Sequence, residues 1–469
     1  MTVQETKINI SKHAQPESVR DTLLGLLEAI TKVDFRKEAK IVSNEELSQK
    51  HYLITTIEQL LLEANKKNWG LCINQDKLYV YNGTYWQNVD KEDLQFFLGS
   101  AARKMGVDKF NAKFYLFRDK LMKQFAATAH LPTPEKAKNV TLINLSNGTF
   151  EITPNKKGLR DYNSNDFLKY KLPFKFDEKA TCPKFIEYLN RVLPDNKMQQ
   201  ILAEFIGYVF TNTSTLKLEK TLLLIGIGAN GKSVFFDIIN ALLGKSNVSN
   251  FTLESLTDNN GYYRASISDK LLNYSSEISN RLNIDLFKQM VSGEPVEARQ
   301  IYHKPQVIED YAKLMFNCNE LPTPRQHKDA YFRRFIIIPF DVKIPVKDQN
   351  PNLAQEIIKD ELPGIFNWVL EGLDRLLKNE GFTDSEAVNS ALNKYRSESD
   401  SVKLFIKENR LKPGVEKKVP LKDMYNSYKE FCKDEELKAI GKTNFSNTLR
   451  DSNYHIDRDN IGMVVHTSK

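Results

Sequence analysis

The chain has 469 residues, 41% hydrophobic and 27% charged, with a formal net charge of +7, a soluble globular composition with room for about two to four cored domains. No apolar run approaches the roughly 18 residues of a membrane span, and the opening MTVQETKINI is too polar for a secretory leader, so a cytoplasmic chain with no membrane partner is expected. Cys72, Cys182, Cys318 and Cys432 lie far apart, without C-x-x-C spacing or clustered His, which argues against a zinc site or a disulfide framework and for a reducing compartment.

Residues 1–45 are polar and mostly helical in pattern. From Asn68, WGLCINQDKLYVYNGTYWQNV alternates aromatic and polar residues around Asn82-Gly83, a hairpin signal. A helical stretch from Glu92 to His130 follows, then a second strand-rich passage, VTLINLSNGTFEIT, again punctuated by Asn-Gly. After Pro183 a helical block, FIEYLNRVLPDNKMQQILAEFIGYVF, leads into a glycine-rich loop, and strands and helices then alternate to Pro345 as in a parallel α/β sheet. LPGIFNWVLEGLDRLL reads as amphipathic helix, and SESDS (Ser397–Ser401) as a linker. Beyond it, 401–469 carries 14 Lys and Arg against 10 Asp and Glu, so four of the seven net positive charges lie there. PLKDMYNSYKEFCKD, TNFSNTLRDS and YHIDRDNIGMVVH read as helix, helix and β-wing, a winged-helix pattern; a small helical module with a solvated basic face has the same signature.

The chemistry centres on the loop. TLLLIGIGANGKSVFF (Thr221–Phe236) is an apolar run, then Gly226, Ile227, Gly228, Ala229, Asn230, Gly231, Lys232, Ser233 and Val234, then an apolar helix. The pattern G-x-x-x-x-G-K-[ST] suits a triphosphate. Glycines let the backbone turn its N–H groups inward, Lys232 reaches the β/γ-phosphates, and the Ser233 hydroxyl completes a Mg²⁺ shell. ATP and Mg²⁺ are the expected cofactors.

Downstream, KLLNYSSEIS (270–279) delivers Glu277 to a strand end, where a phosphate-loop ATPase needs a carboxylate to hold Mg²⁺ or polarise water. A lone strand-end Glu is usually a solvated edge residue; its position after the loop raises it. KLMFNCNELP (313–322) ends a buried strand at Asn319, whose amide can orient water against the γ-phosphate, although such an Asn is more often a turn former. DAYFRRFIIIPF (329–340) sets Arg333 and Arg334 before a core strand, one suited to a structural ion pair and the other to a finger on a neighbour's nucleotide. Arg334 is taken as the finger and Arg333 as its substitute. A GTPase would carry a base-reading Asn-Lys-x-Asp after the loop, and the sequence has none there.

The order GIGANGKS, KLLNYSSEIS, a hairpin segment, LMFNCNELP and AYFRRFIIIPF resembles the superfamily 3 helicases, and within them the phage/plasmid and poxvirus primase–helicase family. The likeness extends upstream into NGTFEIT…FKFDEKATCPKFIEYL and downstream into ELPGIFNWVLEGL and the tail, about 65 to 469. It implies an AAA+-like P-loop NTPase core with a parallel sheet (216–345), preceded by a polar segment (1–45) and an α+β and helical domain (46–215). A helical extension (346–396) and a winged-helix-like domain (402–469) follow. Members often couple the motor to an N-terminal primase. The residues ahead of the likeness hold no paired-acid or Cys/His constellation, so the motor alone is expected, with a separate primase or other replisome proteins as partners. Many relatives place two acids at the second motif, whereas Ser276 precedes Glu277 here, so one Glu must serve both metal and water.

Between the second and third motifs, FKQMVSGEPVEARQIYHKPQVI suggests two strands around His303-Lys304-Pro305. In the family this stretch resembles a central-channel hairpin that grips single-stranded DNA, with Lys304 and His303 on phosphate and Tyr302 stacking. An ordinary exposed hairpin would use the same Lys and Pro against aggregation. The implied protein is a 3′–5′ ATP-dependent DNA helicase, a homo-hexameric ring on single-stranded and forked DNA, in host cytoplasm if viral. A nucleotide-dependent replication initiator and a defence or signalling ATPase remain as alternatives.

Overall fold

The computed structural model describes residues 18–42, 45–132, 134, 137–278, 282–300, 304–322, 329–435, 437, 439–460 and 462–468. Contacts divide the chain into two units. One ends at Lys179 and adds Phe210–Leu216 and Leu242–Gly244; the other comprises Ala180–Val209, Lys217–Ala241 and Lys245–Lys469.

In the first unit, helices Val19–Ala29, Gln49–Lys66, Lys91–Met105 and Tyr115–Thr128 enclose Leu26, Leu60, Leu98, Leu121 and Phe125, all fully buried. The helical stretch expected over 92–130 is not continuous. Gly106, at φ +118, ends the helix and returns its amide to the Ala102 and Arg103 carbonyls, a left-handed C-cap that an L side chain resists. Two three-stranded antiparallel meanders follow the sequence signals: β1 (Gly70–Asn74), β2 (Lys77–Tyr81) and β3 (Trp86–Asn88), then β4 (Thr141–Leu145), β5 (Gly148–Ile152) and β6 (Lys157–Arg160). Asn82 turns the chain between β2 and β3 by accepting the Thr84 and Tyr85 amides on its Oδ1, both at 3.0 Å. In the first meander the tighter turn is instead Gln75-Asp76, both at positive φ, as short as the Ser146-Asn147 turn between β4 and β5.

In the second unit, helices Pro183–Val192 and Asn196–Tyr208 pack beside the long helix Leu353–Asn379. The buried Glu361 carboxylate caps the first of them, accepting the Lys184 and Phe185 amides at 3.0 and 2.9 Å. The buried Glu204 binds Arg375 Nε at 2.9 Å. These bonds, spanning more than 170 positions, tie 180–209 to the C-terminal half of the chain, where the sequence reading set a boundary at 215/216.

The heart of this unit is a five-stranded parallel sheet: β7 (Thr221–Ile225), β8 (Val248–Ser249), β9 (Leu272–Ser275), β12 (Lys313–Cys318) and β13 (Phe335–Pro339), in the order β13-β7-β12-β9-β8. β7 and β13 read as apolar runs because both faces are covered, whereas β9 (Leu-Asn-Tyr-Ser) buries the polar Asn273 and Ser275; Leu222, Leu223, Leu224, Phe316 and Ile337 are fully buried. Between β9 and β12, β10 (Val296–Ala298) and β11 (Gln306–Ile308) form a separate antiparallel hairpin. The fold class is thus mixed α/β with a P-loop-type core.

The expected linker at SESDS is helical instead. Helix Glu386–Ser399 runs through it, and Asp400 alone separates it from helix Ser401–Glu408, capping the latter by accepting the Val402 and Lys403 amides. The tail then continues through β14 (Lys412–Pro420), helices Leu421–Asp434 and Lys442–Asp451, β15 (Ile456–Asp459) and β16 (Gly462–Ser468), with sheet order β14-β16-β15 around Phe405, Tyr428, Phe445 and Leu449. The observed order is thus helix, strand, two helices and the β15–β16 hairpin.

Candidate active site

At the C-terminal end of β7 the backbone turns through Gly228 and Ala229, both at φ +52, and Gly231 at φ +88, then enters helix Lys232–Leu243. Successive left-handed residues turn amides toward one side, the concavity an anion needs. A Cβ at Gly226 would collide with the Asn230 amide and the Phe340 carbonyl, and one at Gly231 would lie 2.8 Å from Val192 Cγ1. The loop therefore has the backbone that only its glycines permit.

Two side chains hold it in place, Asn230 of the loop itself and Tyr188, which the sequence reading did not single out. The Tyr188 hydroxyl donates to the Gly231 carbonyl at 2.8 Å, and Asn230 Nδ2 donates to the Phe340 carbonyl at 2.9 Å, tying the loop to the end of β13. No periodicity or spacing relates Tyr188 to Gly231, 43 positions apart. The Lys232 ammonium is folded into the loop, donating to Gly226 O at 2.5 Å and Asn230 Oδ1 at 3.1 Å. Only 6% of the residue is exposed, and burial lowers its pKa from the usual lysine value. Ser233 is exposed at the helix start, beside the half-buried Val234, and Ile227 is 89% exposed at the loop's crest.

Glu277 follows β9 and Asn319 follows β12, both exposed. Because β7, β12 and β9 are consecutive and parallel, the loop, Asn319 and Glu277 stand in that order along one edge of the sheet, about 5 Å per strand apart. Ser275 fixes the turn into Glu277, its hydroxyl donating to the Glu277 carbonyl at 3.0 Å. Tyr274 OH donates to Asn317 Oδ1 at 2.9 Å, locking β9 to β12 in the sheet core.

The arginines divide contrary to expectation. Arg334 is buried: Nη2 donates to Ser292 Oγ at 2.9 Å and pairs with Glu219 at 3.4 Å, and Nη1 donates to the Ala330 carbonyl. Arg334 is thus a structural anchor, and Arg333, 58% exposed, is the one that presents its guanidinium to solvent. Sequence cannot separate two adjacent arginines; the turn into β13 sends the second inward. Phe335 pairs with Thr221 in register, so both arginines lie at the sheet edge opposite the loop, about 16 Å of strand away.

The hairpin forms where expected, with Val296 opposite Ile308 and Ala298 opposite Gln306. Its base is anchored by the buried Arg264, which donates to the carbonyls of Glu297, Leu256 and Asp258. Lys304 is exposed near the tip, whereas Tyr302 and His303 lie outside the described residues. In the first unit, a cleft of about 850 Å³ opens beside Trp69, Tyr81, Trp86 and His130, with Lys67 over the Trp69 ring; none of the predicted site residues lines it.

Three family models match the chain: "D5 N terminal like" over 58–194, a family of unknown function (DUF5906) over 224–334, and "Poxvirus D5 protein-like" over 397–455. A protein of Invertebrate iridescent virus 3 described as "Putative helicase 121R" is 25% identical over 339 residues, 62% of this chain and 35% of that protein. "Putative helicase L207/L206" of Acanthamoeba polyphaga mimivirus is 23% identical over 356 residues, 68% of this chain and 36% of that protein. The chain thus spans about a third of the length of the curated relatives it matches. The solved apo structure of the NrS-1 C-terminal region shares the fold, with a TM-score of 0.50 at 14% identity, covering 90% of this chain and 99% of that one.

Proposed function

The chain belongs to the phage and poxvirus primase–helicase family, and from that premise we propose that it is an ATP-dependent DNA helicase motor. The observation that carries this reading is the alignment of the Lys232 loop, Asn319 and Glu277 along one edge of the parallel sheet. What supports an anion in the loop is the run of left-handed residues Gly228, Ala229 and Gly231, which turns amides to one side, and the Lys232 ammonium held among the loop oxygens.

On nucleotide entry Lys232 exchanges Gly226 O and Asn230 Oδ1 for β/γ-phosphate oxygens. Ser233 and Glu277 would hold Mg²⁺, which when bound would neutralise phosphate charge. Glu277 takes the proton from the attacking water, and Asn319, between it and the loop, orients that water. The hairpin bears Lys304 toward single-stranded DNA. Subunits form a ring, hexameric by family resemblance and moving 3′ to 5′. Arg333, the exposed arginine, reaches the nucleotide of the next subunit.

Strand displacement tests the reading. With ATP and Mg²⁺ the chain should separate a fork bearing a 3′ tail, and Lys232→Ala should not. Nucleotide-dependent retention of one duplex sequence without displacement would favour a replication initiator instead.

A further inference from the structure

The wing of the C-terminal domain brings together three metal-ligating side chains that the sequence keeps apart. His455 precedes β15, Asp457 lies two residues on, and His466 is on β16. The His466 amide donates to the His455 carbonyl at 2.9 Å, so the two histidines are cross-strand neighbours. Two-residue periodicity puts Asp457 on the same face. Both rings turn Nε2 to the one carboxylate, His466 at 3.1 Å from Oδ1 and His455 at 3.6 Å from Oδ2.

We propose that His455, Asp457 and His466 form a site for one divalent transition-metal ion of the zinc class, clasping the base of the β15–β16 hairpin.

Donor separations carry the argument. A tetrahedral ion with ligands about 2.05 Å away has ligand–ligand edges of about 3.3 Å. The two nitrogen–oxygen separations, each to a different oxygen of the one carboxylate, bracket that edge, and one donor atom from each of the three residues lies within 4.8 Å of the others. Two imidazoles and a carboxylate are a borderline-soft donor set suited to zinc, cobalt or nickel rather than to magnesium or calcium. Three protein ligands leave a fourth position for water. His466 is 9% exposed and held by the sheet, which makes it the rigid member; His455 is exposed and closes the site. The competing cation is Lys418, opposite His466 across β14–β16, but it is exposed on a flexible stem.

The test uses the full, untagged chain stripped of metal, titrated with zinc by calorimetry and with cobalt by visible absorption. One zinc per chain should bind, and cobalt should show the intense band of a tetrahedral site. His455→Ala and Asp457→Asn should each weaken binding at least tenfold, on the order of the effect of removing a ligand or its support. Both positions are solvent-accessible, so metal-free melting should match the parent and separate a binding defect from a folding defect. Absence of saturable zinc uptake by the parent, or uptake unchanged in both variants, overturns the proposal and leaves a hydrogen-bonded wing.

Discussion

Lys232 spends its ammonium on two loop oxygens, Gly226 O and Asn230 Oδ1. A buried cation held this way exchanges partners rather than losing them when phosphate arrives, so its contribution falls on charge neutralisation. Lys232→Ala should therefore abolish measurable phosphate release. Glu277→Gln keeps the shape of the exposed strand-end side chain while removing its basicity. It should retain binding of a fluorescent ATP analogue and lose turnover by about 10²-fold or more. Parent-rate hydrolysis by Glu277→Gln would move the base elsewhere. At this scale the loop was legible because its glycines, Lys and Ser are local and their spacing is set by backbone geometry. Tyr188 and the Asn230–Phe340 latch were not, since a clamp made by residues 43 or 110 positions away leaves no local pattern. The same limit hid the His455–Asp457–His466 trio, which exists only once β15 pairs with β16.

The elements were legible wherever one periodicity persisted. β7 and β13 are apolar runs, and the hairpin shows as two short runs flanking a polar tip. Errors arose where a single residue decides: Gly106 breaks a helix, Gln75-Asp76 makes the tighter turn, and Asp400 joins two helices where a polar string suggested a loose linker. The β10–β11 hairpin follows from its own residues. Val296, Ala298 and Ile308 are buried while Val307 is 65% exposed, so one face is pinned and the other free. The buried Arg264 braces this strand by donating to the Glu297 carbonyl. Lys304 is exposed and distant in sequence from the phosphate loop, so Lys304→Ala should leave basal ATPase near the parent value. DNA-stimulated ATPase and unwinding should fall together, and the salt slope of single-strand binding should shrink by about 0.7 for each phosphate no longer neutralised. A variant with parent unwinding and an unchanged slope would reduce Lys304 to a solubilising surface charge.

At the scale of the whole molecule, the parallel sheet separates two kinds of site. The loop, Asn319 and Glu277 occupy its C-terminal edge, while Arg333 and Arg334 precede β13 at the other. About 16 Å of strand lies between, longer than an extended arginine, so an arginine from this edge can meet a triphosphate only on another subunit. Arg334 is excluded by its bonds to Ser292, Ala330 and Glu219, which hold the turn into β13. Among the described residues the Arg333 guanidinium pairs with Glu219 at 3.7 Å at the surface, an interaction worth little against a phosphate. A finger supplied in trans contributes on the order of 10³-fold or more to phosphoryl transfer. Arg333→Ala should therefore match Lys232→Ala in its loss of ATPase, yet melt like the parent, whereas Arg334→Ala should lower the melting temperature. If Arg333 acts on the next subunit as proposed, mixing Arg333→Ala with Lys232→Ala subunits should restore activity at interfaces that pair an intact loop with an intact finger. Light scattering must show both variants assembled. If the assembled mixture stays inactive, Arg333 does not act across the interface, and the ring needs a different residue to couple one subunit's hydrolysis to the next.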